Sequence, residues 1–138
     1  MRVVLALAFM LLTLMLPAQA QTEEQAWQAV VSGQIEAFRA GDGEAALGFA
    51  GAGFRQQFSD PEVFLAAIVA TGYGPIVGSR SHSFGPSTRL SETLVTQVVQ
   101  LVGEDGSLYE AFYQMRNEPD IGWRVAGVVL RKQPGIGI

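Results

Sequence analysis

Few side chains in this sequence can do chemistry. His82 is the single histidine and cysteine is absent. Thiolate catalysis, Cys-ligated zinc, iron–sulfur clusters and a disulfide framework are therefore excluded, and one histidine cannot build the His-rich site that zinc or non-haem iron would then need. No metal and no cofactor is expected. Ser81 and Ser83 flank His82 and invite a Ser–His nucleophile reading. Neighbours on a strand point to opposite faces, however, so the imidazole does not readily reach either hydroxyl. No G-x-S-x-G elbow occurs. The run Gly48–Gly53 has neither the lysine nor the Ser/Thr of a phosphate loop and follows no strand.

Binding residues are easier to nominate. Arg80, His82 and Phe84 share one strand face by period two, a cation, a titratable ring and an apolar body that together suit an anionic ligand. The competing reading pairs the arginine with a strand carboxylate such as Glu92 or Glu110. Tyr109, Ala111, Tyr113 and Met115 form an apolar stripe, and Trp123 opens the next strand. Two readings fit that stripe: a plain core or dimer face, or a pocket lining whose phenols aim at a ligand. Acid–base catalysis would need an interior carboxylate beside such a donor. Glu36 lies nine residues after Trp27, about 900° around a helix, and so faces water. Caps and turns account for Asp42, Asp60, Glu62, Glu104, Asp105, Glu118 and Asp120. Glu110 remains, but its even position puts it across the sheet from Tyr109 and Tyr113. No catalytic residue is assigned, and the ligand-binding candidates are Arg80, His82, Tyr109, Tyr113 and Trp123.

The elements that must position these residues follow from periodicity. Thr22 and Gln25 suggest a capping box, after which Trp27, Val30, Val31, Gln34 and Phe38 keep helical spacing until Gly41. That predicts a helix of about 17 residues. A short helix is expected over Glu44–Leu47. A third opens at Ser59-Asp60-Pro61-Glu62, carries Phe64, Leu65, Ala67, Ile68 and Val69, and ends at Gly72. Extended segments follow near Ile76–Phe84, Thr93–Val102, Ser107–Asn117 and Trp123–Arg131. Gly103–Gly106 reads as a hairpin turn and Asn117–Gly122 as a longer one. Trp123–Leu130 is apolar at both parities, which suggests a strand covered on both faces. Helices first and antiparallel strands after is the α+β pattern, with N-terminal helices packed on a curved antiparallel sheet.

The first twenty residues stand apart. Arg2 is their single charge, Val3–Leu16 is apolar except for Thr13, and Pro17-Ala18-Gln19-Ala20 places small residues at the A-x-A positions. This predicts a secretory signal peptide over residues 1–20, cleaved after Ala20. Its apolar stretch spans about 21 Å as a helix, short of the roughly 30 Å a bilayer core requires. A periplasmic or secreted location is expected, with no membrane association after cleavage, and a single domain over residues 21–138. Without Arg2 the chain carries 8 basic and 13 acidic residues. Nucleic acid is therefore not an expected partner.

Six segments carry a family resemblance: Gln34–Asp42, Asp60–Phe64, Tyr73–Val77, Arg80–Gly85, Leu108–Tyr113 and Gly122–Val125. In order and spacing they resemble an exported bacterial group, domain-of-unknown-function family 4864, within the nuclear-transport-factor-2-like superfamily. Tyr109 stands where that pattern often has Trp, and Val128 near a position often occupied by Cys. The resemblance implies a cone in which a bent sheet wraps around helices and leaves a pocket. It implies no activity, because cone proteins include isomerases, dehydratases, epoxide hydrolases and many non-enzymes. Three functions are set against one another. The first is a non-enzymatic domain binding a small apolar or anionic ligand or a protein partner. The second is a lyase or isomerase using a tyrosine or His82, and the third a structural homodimer joined through the sheet.

Overall fold

The structure, a computed structural model, describes residues 19–134. The expected leader falls outside the described residues as far as residue 18. Helix α1 runs from Gln19 to Arg39, longer than periodicity alone suggests. Its backbone is already helical at Thr22, so the anticipated capping box does not mark its start. Trp27, Val31, Ile35 and Phe38 form its buried stripe, the i, i+4 repeat of an amphipathic helix. Glu36 is exposed, as its angle requires.

Helix α2 (Gly43–Gly48) is capped by Asp42, whose Oδ1 accepts from Ala45 N at 3.0 Å. Helix α3 (Ala52–Gln57) was not anticipated. It is held by Glu118, which accepts from Ala52 N at 3.1 Å and pairs with Arg55 at 3.0 Å. Helix α4 (Pro61–Ile68) begins at the Asp60 cap, with Pro61 in its first turn. The chain kinks within Val69–Tyr73 at Gly72, which takes φ 101, a left-handed angle that favours glycine. The chain then restarts as α5 (Gly74–Val77), with Pro75 in the first turn. The expected strand from Ile76 is thus corrected. Pro75 fixes a helical φ and has no N–H to lend a ladder, so Ile76 is helical and buried, and the strand begins later.

Strands β1 (Ser81–Ser91), β2 (Leu94–Val102), β3 (Leu108–Glu118) and β4 (Gly122–Lys132) form an antiparallel meander in the order β1-β2-β3-β4. Both predicted turns occur. Gly103 N donates to Ser107 O at 2.7 Å in the first, while the second is tighter than expected because β3 continues to Glu118. The fold class is therefore α+β, helices on one face of a four-stranded antiparallel sheet.

Two irregularities set which side chains reach the core. In β4 the register jumps from Gln114↔Gly127 to Met115↔Val125, leaving Ala126 unpaired. Such a bulge flips the inward phase. Trp123 and Val125 point inward before it, Val128 and Leu130 pack on the core after it, and Val129 is 54% exposed. This corrects the expectation of a strand covered on both faces: the run is apolar at both parities because its phase changes. In β1 a second irregularity lies between Phe84 and Ser87. Buried Gln97 faces it from β2, accepting from Trp27 Nε1 at 2.8 Å and donating to Gly85 O at 2.9 Å.

Candidate functional site

Ala111, Tyr113 and Met115 are fully buried beneath the helices, so these three residues of the odd-numbered stripe of β3 are core. Above part of it lies a cavity of about 310 Å³, bounded by Phe38, Phe54, Phe58, Phe64, Tyr73 and Tyr113 among others. Its walls come from distant parts of the chain for local reasons. Phe54 is carried by α3, which the Arg55–Glu118 pair ties to the end of β3. Phe64 sits under the Asp60 cap, its ring centroid 6.0 Å from Phe38, 6.1 Å from Phe54 and 5.4 Å from Phe58. The Tyr73 hydroxyl donates to Val128 O at 2.8 Å, fixing the turn after α4 to the free edge of β4. That edge is also met at Val125, where Gly51 N donates to Val125 O and Val125 N donates to Phe49 O.

The Tyr113 hydroxyl is buried and has no hydrogen-bond partner among the described residues. Burial raises its pKa, against a weaker opposing pull from the Arg39 charge, so the phenol stays protonated through the neutral range.

Next to the cavity along the chain, a polar clamp joins α1 to β1. Arg39 donates from Nε and Nη2 to Ser79 Oγ, both at 3.1 Å, and Nη2 lies 3.1 Å from His82 Nδ1. Ser32 Oγ lies 2.9 Å from His82 Nε2, and Ser79 Oγ donates to Ile76 O at 2.8 Å. A guanidinium has only donors, so Nδ1 accepts and the neutral ring carries its proton on Nε2, donating to Ser32. A serine nucleophile needs the reverse, an unprotonated nitrogen facing its hydroxyl. The His82 pKa is lowered, first by burial and then by Arg39, while Glu36 pulls the other way.

Of the five nominated ligand residues, Tyr113 alone lines the cavity of about 310 Å³, while His82 and Tyr109 line a separate cavity of about 140 Å³. His82 belongs to the clamp, where Arg39 supplies the cation assigned to Arg80. Arg80 is exposed, just ahead of β1. Arg89, not Arg80, meets a carboxylate, Glu23 at 2.8 Å. Tyr109 is partly buried against the Gly103 hairpin, so close that a Cβ on Gly103 would come within 2.8 Å of the ring. Trp123 packs edge-on to Trp27 with centroids 5.2 Å apart, as core. Among the described residues no group of three or more His, Asp or Glu side chains converges to hold a metal. No described helix is long and apolar enough to cross a membrane.

Sequence reasoning missed Ser32, Arg39, Ser79, Phe54 of α3 and Phe58 just after it. Ser32 and Arg39 sit seven apart, two helical turns on one face, a signal that was present. Phe54 and Phe58 are an i, i+4 pair. Ser79 carries no such mark.

The family model for a domain of unknown function, DUF4864, matches residues 20–138. No curated protein matches the chain.

Proposed function

We propose, for a chain that belongs to the DUF4864 family, that the mature domain is a non-enzymatic binder of a small, largely apolar molecule held in the cavity between the helices and the inner sheet face. One observation carries this reading: a cavity of about 310 Å³ walled by aromatic side chains, among them Tyr113, whose buried hydroxyl has no partner among the described residues. Ligand pockets of about 300–1,000 Å³ combine an apolar lining with a few placed polar groups, and a buried polar group left unpaired in a native fold calls for an explanation.

The finer fold reading is a nuclear-transport-factor-2-like cone. It is supported by helices preceding a four-strand meander whose bulges locally bend the strands. Export to the periplasm or medium is supported by the composition of residues 1–20.

A second reading, a homodimer joined through the outer face of the sheet, is supported by an apolar row there. Phe112 pairs with Val98 on one side and with exposed Val129 on the other. Native mass spectrometry of protein purified from its own host's periplasm tests both. A copurified small molecule supports the binding reading and a doubled mass the second. A bare monomer that also takes up no apolar probe would overturn both.

A further inference from the structure

We propose that the molecule taken by the cavity is uncharged and carries a hydrogen-bond acceptor, such as a ketone or ether oxygen, to which the Tyr113 hydroxyl donates. This rests on the reading of the cavity as a binding site and names the chemistry that site selects. Three other polar groups on its wall have partners. The Tyr73 hydroxyl donates to Val128 O at 2.8 Å, Thr71 Oγ1 to Ala67 O at 2.7 Å and Gln34 Nε2 to Ala46 O at 3.1 Å. Gln57 is exposed at the mouth. Tyr113 is 0% exposed, lines the cavity and has no partner among the described residues. An acceptor on the ligand would satisfy the group that the fold leaves unsatisfied.

Charge selects as well. No residue lining the cavity carries a formal charge. Arg39, whose charge acts on the Tyr113 phenol, is engaged by Ser79 and His82. A carboxylate or ammonium entering the cavity would lose its hydration without gaining a counter-ion, and isolated buried charges are strongly disfavoured. A protonated phenol meets a neutral acceptor with no such penalty.

Three naphthalenes of similar size separate the possibilities by equilibrium dialysis against the full mature protein: 2-acetylnaphthalene, 2-ethylnaphthalene and 2-naphthoate. The expected order places naphthoate last. The ratio of ketone to hydrocarbon affinity should fall about 3–10-fold in Tyr113→Phe, with hydrocarbon affinity retained. An unchanged ratio overturns the donor role and leaves the cavity reading standing. Tightest binding of naphthoate overturns the neutral-ligand inference. Binding of neither neutral probe overturns the cavity reading itself and this proposal with it. Should Tyr113→Phe fail to fold, the carbonyl stretch of the bound ketone decides in the unsubstituted protein. A shift below its position in alkane supports donation, and an alkane-like frequency overturns it.

Discussion

Arg39 Nη2 sits 3.1 Å from His82 Nδ1, and this contact fixes the tautomer of the ring and adds to burial in disfavouring its charged form. Burial and the guanidinium hold its pKa below the ordinary 6.5, with Glu36 opposing. The unfolded chain therefore binds a proton more readily than the folded one. The clamp's contribution to stability is present above about 6.5 and is lost as pH falls from there through the lower folded value. Arg39→Met should move the His82 pKa upward, part of the way back, because burial persists. The single imidazole makes this a one-signal NMR titration, and an unmoved midpoint would show that Arg39 does not set it.

The same polarity bears on Ser32. With the Nε2 proton donated to its hydroxyl, Ser32 is not activated, and a fluorophosphonate probe should leave the protein unlabelled. Stoichiometric adduct formation at Ser32, located by peptide mass spectrometry, would reverse that conclusion.

Tyr113→Phe is expected to stabilise the ligand-free protein. The substitution removes a buried hydroxyl that has no partner among the described residues and leaves the ring in place. Desolvating an unpaired polar group costs about 1–3 kcal/mol, so a gain near 1 kcal/mol in denaturant melts is anticipated. A loss above about 1 kcal/mol would mean that the hydroxyl makes a stabilising bond in solution.

Gln97→Leu acts in the opposite sense. It strands the Trp27 indole N–H and the Gly85 carbonyl, both bonded to Gln97 at under 3 Å, inside a fully buried position. A loss of about 2–4 kcal/mol is expected. Replacing Trp27 by Phe should cost less in the Gln97→Leu background than alone, since the indole donor is then already unpaired. Strict additivity would argue against the bond.

Phe64→Ala removes the ring on which Phe38, Phe54 and Phe58 converge. At 1% exposure, its loss should cost about 3–5 kcal/mol. A change under about 1 kcal/mol would mean that the cavity wall collapses freely onto the gap.

If the proposed export holds, the mature chain should begin at Gln21, without the first two backbone positions of α1. N-terminal sequencing of the secreted product decides this, and an intact Met1 on membrane-bound material would refute it.

Much of the frame was written locally. Proline and capping residues place the start of α4. The Trp27-to-Phe38 repeat picks the buried face of α1, and glycines mark the β2–β3 and β3–β4 hairpins. Each is settled by forces acting within a few residues, as is the family resemblance carried by short segments in order. Tertiary structure decided what depends on phase and docking. An unpaired Ala126 inverts the inward face of β4, yet a bulge exists only relative to the register of β3, which no single segment encodes. Arg39 meets His82 across 43 residues of chain because α1 packs on the sheet, a placement fixed by burying Trp27, Val31 and Ile35 rather than by the polar pair itself. The cavity is the least legible feature of all. It is the space left between four phenylalanines, two tyrosines and a sheet, and only their joint packing determines that it is there and that Tyr113 is one of its walls.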